Sequence, residues 1–424
     1  MKDSLKDIVI GIDLGNTNVK CVIIDISGKI RGLYKMPSNL VSISQAGPYI
    51  DSGKISNAVA KLCRKVSQMV SGYTIKGMAI ATMGCAGVFL DEGDNQLVLP
   101  KIKPPQGCIP RLENYTNTCG YARDYDSAGI QLAHMMNYER SSNIKTFLSI
   151  LDYVNFYLTG IKKRERTTAS SMPFMDKINN TDWLDFLDAY RIDRSVLPPI
   201  CQSGEFIGGL TAAAAKACGL PEGTPVYAGG HDYLCGAFAV GCIGEGDIIN
   251  VLGTFEMMAT FFSKPQKDFY DSDICSFMDF HVYPGRFTIT AEHDCISYIK
   301  KHFANSNEMT LEERFIQLDQ NPKSQPELAE AITLLNKQTA KTLSYLERVG
   351  NRNFSAIKVI GGGANSRFWL QDKADTLNIP VIPLKIPEAT AVGAALLAGY
   401  GCGLYSSYKE ASQVYKNVRN YPLT

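Results

Sequence analysis

A short apolar hairpin near the start of the chain constrains the fold more than any other stretch. Residues 8–13 and 18–25 are rich in Val and Ile, which predicts two β-strands. Asp13 closes the first strand, and the residues of the turn are Gly15, Asn16, Thr17 and Asn18. Backbone N–H groups of such a turn can bind phosphate. A carboxylate beside a phosphate requires a cation, so the pattern indicates Mg²⁺ at Asp13, with an ordinary Gly-Asn hairpin as the alternative.

The same pattern returns in the second half of the chain. Residues 247–256 contain an apolar strand that runs into Gly253 and Thr254 at a turn. A weak internal duplication of this kind predicts two similar domains that bind one nucleotide together.

A carboxylate follows another apolar strand. Gly229 and Gly230 precede His231 and Asp232, and a helix of small residues starts immediately afterwards. The helix dipole would stabilise the charged form of Asp232, and the two glycines would open space for a substrate. A simple N-cap aspartate is the alternative.

A run of small residues lies near the other end of the chain, between a buried strand at 357–360 and a helix at 366–377. Its residues are Gly361, Gly362, Gly363, Ala364 and Asn365. Glycines here let the backbone approach a ligand closely.

These four motifs, in their order along the chain, resemble the FGGY family of carbohydrate kinases, which has the actin-like ATPase fold. The resemblance runs from about Ile8 to about Gly399 and is most specific over 361–375 and 388–398. Gly230-His-Asp and Gly253-Thr-Phe-Glu are nearest in motif to the fuculokinase-like branch. The resemblance implies an α/β fold in which two ribonuclease-H-like domains flank a central cleft. Residues 1–243 would hold the sugar, one phosphate hairpin and the catalytic Asp, and residues 244–424 would bind phosphate and adenosine.

The resemblance also implies the activity and the site. The expected reaction is ATP-dependent phosphorylation of a hydroxyl of a small ketose or polyol. Asp232 would accept the hydroxyl proton, and Asp13 would orient Mg²⁺ through water. The predicted nucleotide contacts are Gly15, Asn16, Thr17 and Asn18 with Gly253 and Thr254 for the phosphates, and Gly361, Gly362, Gly363, Ala364 and Asn365 for adenosine. We expect Lys20 to be a solvated strand lysine.

The sugar side departs from the family pattern. The segment 83–87 reads Met-Gly-Cys-Ala-Gly, and 99–107 has no Trp, Asp or Arg, so two common polar contacts are missing. The predicted substrate residues are Ala86, Thr168, His231 and Asp232. We therefore expect poor activity on xylulose and glycerol.

Composition narrows the class of protein. A formal net charge of +1 gives no reason to expect a nucleic-acid partner, and no apolar run is long enough to predict a membrane span. The start of the chain has no apolar signal region, and twelve scattered cysteines suit a reducing cytosol, so a cytoplasmic location is expected. A homodimer is a plausible assembly.

Two other classes of protein are alternatives. A non-catalytic sugar- or nucleotide-binding relative of the same fold would not need Asp13, Thr17, Asp232 and Thr254. A metal-dependent phosphohydrolase could use the His231-Asp232 and His293-Asp294 pairs, but that chemistry needs several converging histidines and the chain has five in all.

Overall fold

The computed structural model describes residues 6–44, 47–98, 128–130, 132–133, 143–253, 255–271, 273–301 and 309–415. In chain order the described strands are β1 Asp7–Leu14, β2 Asn18–Asp25, β3 Ile30–Pro37, β4 Val41–Ser44, β5 Gly47–Ile50, β6 Thr74–Thr82, β7 Gly87–Leu90, β8 Gln96–Leu97, β9 Thr146–Ser149, β10 Arg164–Glu165, β11 Met175–Asp176, β12 Thr181–Asp182, β13 Ile200–Cys201, β14 Phe206–Gly209, β15 Pro225–His231, β16 Ile248–Leu252, β17 Phe255–Phe262, β18 Cys275–Phe280, β19 Phe287–Asp294, β20 Ile357–Ile360 and β21 Val381–Pro383.

The α-helices whose bounds lie within the described residues are numbered in the same way. They are α1 Ser52–Met69, α2 Ile150–Thr159, α3 Arg166–Ser170, α4 Leu184–Ala189, α5 Ala212–Cys218, α6 Asp232–Ala239, α7 Ile296–Lys301, α8 Leu311–Gln320, α9 Pro326–Gly350, α10 Arg367–Leu377, α11 Ala389–Gly401 and α12 Tyr408–Gln413. Among the described residues, no helix combines the length and the apolar composition needed to cross a membrane.

The contacts divide the chain into two compact units that are not continuous in sequence. The first unit comprises the described residues of Met1–Gly241, Asp279–Gly285 and Glu388–Lys416, and the second those of Cys242–Met278 and Arg286–Pro387. The predicted domain boundary at 243 stays a prediction, and the contacts add that α11 packs with the first unit.

The first unit is built on a six-stranded sheet in the order β14-β15-β6-β1-β2-β3. The central strands β1 and β2 are buried almost throughout because their Val and Ile side chains are covered on both faces. α1 contacts β2 and β3, whereas α11 contacts β1, β2, β6 and β15. A Cβ on Gly11 would lie 1.9 Å from the Ala391 carbonyl oxygen, so α11 can approach β1 this closely only because residue 11 has no side chain.

The second unit repeats the core of this arrangement. Its six-stranded sheet has the order β18-β19-β17-β16-β20-β21, in which β16 pairs antiparallel with β17 and parallel with β20. In the first unit β1 pairs antiparallel with β2 and parallel with β6. The predicted duplication and the α/β fold with two sheet-containing domains are therefore confirmed.

Candidate active site

A chain of ion pairs lies at the end of β1 in the first unit. Asp13 and Lys20 are direct cross-strand partners in the hairpin, and Lys20 Nζ lies 3.2 Å from Asp13 Oδ2. The same ammonium lies 2.7 Å from Glu388 Oε2. The prediction of a solvated Lys20 is wrong, because cross-strand partners share a face of the sheet and this pairing draws the lysine to a carboxylate.

The environment of Asp13 suits a cation. Burial raises the pKa of Asp13, the nearby Lys20 lowers it, and the charges of Asp232 and Glu388 raise it again, to about 6. Two carboxylates, Asp13 and Glu388, share the Lys20 ammonium, and the charge of Asp232 also acts on Asp13, so negative charge is in excess. Within the described ranges, no group of three or more His, Cys, Asp or Glu side chains could hold a metal ion by itself. Mg²⁺ fits such a site, since it usually keeps several waters and takes one or two carboxylates plus phosphate oxygens.

The turn that follows β1 is held by its carbonyl groups. The Gly15 N–H donates to the Asn18 carbonyl at 3.1 Å, which closes the turn. Ser38 donates from its hydroxyl to the Asn16 carbonyl at 2.5 Å and from its backbone N–H to the Thr17 carbonyl at 3.1 Å. Asn16 and Thr17 are exposed. The turn therefore has a fixed backbone and exposed residues, as a phosphate contact requires.

Asp232 is the first residue of α6, directly after β15. Its Oδ1 accepts a hydrogen bond from the Tyr233 N–H at 2.7 Å, and its side chain keeps 37% exposure. The expectation that Gly229 and Gly230 open space for a substrate is wrong, because a Cβ on Gly229 would lie 1.8 Å from the Ile80 carbonyl oxygen and one on Gly230 would lie 2.5 Å from Val282. The two glycines permit close packing behind Asp232 instead.

His231 is the N-cap residue of α6 and lies beside Asp232. Its Nε2 is 3.6 Å from Asp232 Oδ1, and its backbone N–H donates to Thr167 Oγ1 at 2.8 Å. Its ring is largely buried and packs against Gly84, where an added Cβ would lie 2.6 Å from the ring. The segment 83–87 thus lies next to His231. Its place in the sugar site stays a prediction.

The other predicted sugar contacts are placed less favourably. Thr168 is fully buried, and its hydroxyl donates to the Glu165 carbonyl at 3.0 Å. This hydrogen bond lies at the start of α3. Ala86 is partly buried and accepts a backbone hydrogen bond from Ile150 at 3.2 Å. The loop 99–107 lies outside the described residues.

In the second unit a cavity of about 490 Å³ lies beside the glycine run. Of the predicted nucleotide residues, Gly253, Gly362, Gly363 and Asn365 line it. Gly361 has φ +98°, and a Cβ there would lie 2.4 Å from the Leu252 carbonyl oxygen, so only glycine fits at this position. Ala364 belongs to the same 3₁₀ turn, Gly362–Asn365, without lining the cavity. Thr254 lies outside the described residues.

Sequence reasoning missed the opposite wall of this cavity, which is α8. This wall is formed by Leu311, Glu312, Phe315, Ile316 and Asp319. Phe315 stacks on Trp369 with ring centroids 5.5 Å apart, and Asp319 accepts hydrogen bonds from Ser366 and from the first N–H groups of α10. The capping box formed by Thr310 and Glu313 predicts the start of this helix. The sequence of the helix does not indicate which of its faces borders a cavity.

Comparison with known families decides the class of protein. The model of the N-terminal domain of the FGGY family of carbohydrate kinases matches residues 8–239, and that of the C-terminal domain matches residues 303–402. The chain belongs to the FGGY family of carbohydrate kinases. This FGGY kinase is therefore an enzyme of the class that transfers a phosphoryl group to an alcohol group of a carbohydrate.

Individual relatives are distant but match along nearly the whole chain. L-fuculokinase of Escherichia coli K12 is 25% identical over 468 residues, which cover 99% of this chain and 98% of the relative. Xylulose kinase of Bacillus subtilis 168 is 25% identical over 465 residues, with 96% and 90% covered. The crystal structure of xylulose kinase from Rhodospirillum rubrum matches with a TM-score of 0.83 at 20% identity, covering 98% of this chain and 94% of that one, which shows the shared fold.

Proposed function

We propose that this FGGY kinase transfers the γ-phosphoryl group of ATP to a hydroxyl of a small ketose or polyol, with Mg²⁺ as cofactor. The observation that carries the proposal is the partly exposed carboxylate of Asp232 at the start of α6, in the same unit as the ion pairs of Asp13, Lys20 and Glu388. Phosphoryl transfer depends on positioning and charge neutralisation. One unit thus offers a carboxylate able to accept a proton and a separate carboxylate able to attract a cation.

Asp232 is the proposed general base. A sugar hydroxyl is a weak nucleophile at neutral pH, because its pKa is far above 7, and a base within hydrogen-bond reach accepts its proton as the bond to phosphorus forms. The side chain of Asp232 is accessible, and its neighbour His231 is held by Thr167. His231 and the segment 83–87 would form part of the sugar pocket, with Ala86 as a small wall residue.

Asp13 is the proposed metal contact, and the hairpin turn of each unit supplies proposed phosphate contacts. Mg²⁺, when bound, would neutralise charge on the transferred phosphoryl group. Asp13 would hold the ion largely through water, and Lys20 balances part of the negative charge around Asp13. The turn Gly15, Asn16, Thr17 and Asn18 and the second-unit residues Gly253 and Thr254 would contact the phosphates.

The cavity of the second unit is the proposed adenosine site. Its volume of about 490 Å³ lies within the range of ordinary small-molecule sites. Its walls combine the backbone of Gly362 and Gly363 with apolar side chains of α8. This pairing of open backbone and apolar surface suits a nucleoside.

The acceptor is proposed to be a ketose, with a polyol as the other possibility within the same reaction. Two of the relatives are named for fuculose and xylulose, which are both ketoses. The test is an ATP-coupled assay of ADP release with fuculose, rhamnulose, xylulose, erythritol and glycerol as acceptors. ADP release that depends on at least one acceptor supports the proposal. A chain that binds Mg-ADP but releases no ADP with any of these acceptors would instead be a non-catalytic relative.

A further inference from the structure

A buried carboxylate outside the proposed site lies directly behind it. Asp279 is fully buried near the end of β18, in the segment Asp279–Gly285, whose contacts belong to the first unit. The Arg166 guanidinium lies 3.9 Å from the ring centre of Phe280, and the Phe280 N–H donates to Ser170 Oγ at 3.3 Å. These contacts fix the backbone that carries Asp279.

The two oxygens of Asp279 have different surroundings. Oδ1 accepts a hydrogen bond from Ser170 Oγ at 2.9 Å and lies 3.3 Å from the ammonium of Lys177, which is itself buried. Oδ2 accepts a hydrogen bond from the Tyr233 hydroxyl at 3.1 Å and lies 3.9 Å from His231 Nδ1. One oxygen is thus anchored to the body of the unit, and the other faces residues of the α6 start.

The two residues that face Oδ2 flank Asp232 in the sequence. Their rings stand edge to face, with centroids 4.8 Å apart. Asp232 lies between them, and its Oδ1 is bonded to the Tyr233 N–H. The Tyr233 hydroxyl is bonded to this fixed oxygen, whereas His231 Nδ1 at 3.9 Å is too far away for a hydrogen bond, and the His231 backbone N–H is bonded to Thr167 instead. Asp279 therefore holds the backbone at residue 232 through Tyr233. Lys177 balances the charge of Asp279, so the anchor need not add a second uncompensated negative charge beside the base.

We propose that Asp279 is a positioning residue for Asp232, acting through Tyr233. The proposal rests on the proposed function of Asp232 as the general base. Catalytic groups must be held within about 0.5 Å of their productive geometry. A misplacement of about 1 Å can lower the rate by about 10²-fold. Asp279→Asn is therefore expected to lower kcat by about 10- to 10²-fold, while the KM for ATP stays within about two-fold.

Two further variants separate positioning from stability. In Lys177→Met/Asp279→Asn both buried charges are gone, so the double variant should recover thermal stability relative to Asp279→Asn without recovering kcat. Tyr233→Phe removes the hydroxyl that donates to Asp279 Oδ2, and it should lower kcat by a few-fold with little change in melting temperature. Recovery of wild-type kcat in the double variant would overturn the proposal, because it would show that the single substitution acted through stability.

A matched control is another buried ion pair among the described residues of the same unit. Arg164 and Asp182 are paired at 2.6 Å and nearly buried, and the described contacts of Asp182 do not include residues 231–233. Asp182→Asn should lower the melting temperature but leave kcat within about two-fold. An equal loss of kcat in this control and in Asp279→Asn would also overturn the proposal.

The position of Asp232 can be read without any activity. Crystal structures of the wild type and of Asp279→Asn should differ by about 1 Å or more at the Asp232 carboxylate. An unchanged carboxylate would overturn the positioning role. If the wild type phosphorylates none of the acceptors, the proposed function fails, whereas the crystallographic comparison still decides whether Asp279 holds Asp232 in place.

Discussion

At the scale of single residues, Asp232 carries the proposed chemistry. Asp232→Asn keeps the size of the side chain and its acceptor for the Tyr233 N–H, but it removes the proton acceptor. Loss of a general base lowers the rate by about 10² to 10⁴-fold, so kcat should fall by that factor while ADP affinity stays unchanged. Turnover and calorimetric ADP titration measure the two effects, and activity within a few-fold of wild type would reject the base assignment.

Substitutions of Asp13 and Gly362 should affect different properties of the enzyme. Asp13→Ala removes the proposed metal contact and should lower turnover more than ADP affinity. A Cβ on Gly362 meets open space, and Gly362 lines the cavity, so Gly362→Val should fill part of the cavity and weaken ADP binding itself. Gly362→Ala is the graded control, with a smaller effect than Val. Equal ADP affinity in wild type and Gly362→Val, titrated with and without Mg²⁺, would put the adenosine site elsewhere.

A buried ion pair in the second unit makes stability depend on pH. Glu256 and Lys373 are both fully buried and hydrogen bonded to each other, and Thr339 donates to Glu256 at 3.0 Å. Burial raises the pKa of Glu256, but Lys373 and His293 outweigh it and lower the pKa to about 2. A depressed carboxyl pKa gives stability that is present above the unfolded value, near 4.5, and is lost as the pH falls toward 2.

The expected outcome is a pH-dependent difference between two variants. At pH 7, Glu256→Gln should lose about 3–5 kcal/mol of stability because it leaves the Lys373 charge buried, and Glu256→Gln/Lys373→Met should recover much of it. The gap in melting temperature between wild type and Glu256→Gln should shrink between pH 4.5 and 2. A gap that stays constant over that range would show that Glu256 does not contribute through its charge.

Residue positions were predictable where one local rule decides them. The register of the first hairpin places Lys20 beside Asp13, because Leu14 pairs with Val19 and Asp13 therefore pairs with Lys20. Glu388 has φ +49°, which is uncommon for a residue other than glycine, and its contact with Lys20 joins distant parts of the chain. No local pattern predicts such a contact.

At the scale of elements, close packing of α11 is the most sensitive feature of the first unit. A Cβ on Gly393 would lie 1.9 Å from the Cys235 carbonyl oxygen of α6. Gly393→Ala should therefore force α11 and α6 apart and cost about 1–3 kcal/mol, although alanine is the better helix former. Gly53→Ala is the control, at an exposed position of α1 where a Cβ would lie 3.2 Å from Asp51 Oδ1, and it should change stability by about 0.5 kcal/mol or less. A neutral Gly393→Ala would show that the helices can separate without cost.

Helices and strands were predictable from periodicity and capping residues. Their boundaries were predictable where the sequence contains a clear capping residue. The long helix α9 and the short helix α5, with Thr211 at its N-cap and Gly219 at its C-cap, follow their sequence signals. The sequence also predicts a helix over 143–158, and this prediction is wrong at its start, because Thr146–Ser149 forms β9 and pairs with β7. The capping box of Ser149 and Asp152 begins α2 only at Ile150.

At the scale of the whole molecule, the order of the elements along the chain does not show which unit each helix packs in. Small-residue helix α11 follows the second sheet in sequence but packs in the first unit. Its apolar residues are buried all round, so its pattern cannot indicate which sheet it covers. The duplicated hairpins, by contrast, predicted both sheets, because each hairpin supplies two adjacent interior strands of its own sheet.

Acceptor choice is also a property of the whole molecule, because the predicted sugar contacts come from segments that are distant in the sequence. The segment 83–87, predicted to lack polar sugar contacts, has its Cys85 N–H already bonded to Ser171 Oγ at 3.0 Å. Each missing partner for a sugar hydroxyl costs about 1–3 kcal/mol. Two such losses should reduce discrimination in favour of xylulose by about 10² or more.

The most direct measurement is a comparison of kcat/KM for xylulose, glycerol, fuculose, rhamnulose, erythritol and sugar acids under one ATP-coupled assay, with the phosphorylated product identified by mass spectrometry. We predict that ATP is consumed one for one with product, and that a ketose or polyol other than xylulose and glycerol is preferred. Efficient turnover of xylulose or glycerol, far above the others, would contradict the account of the sugar side. No phosphorylated product from any acceptor, in a protein that binds Mg-ADP, would contradict the proposed kinase reaction itself.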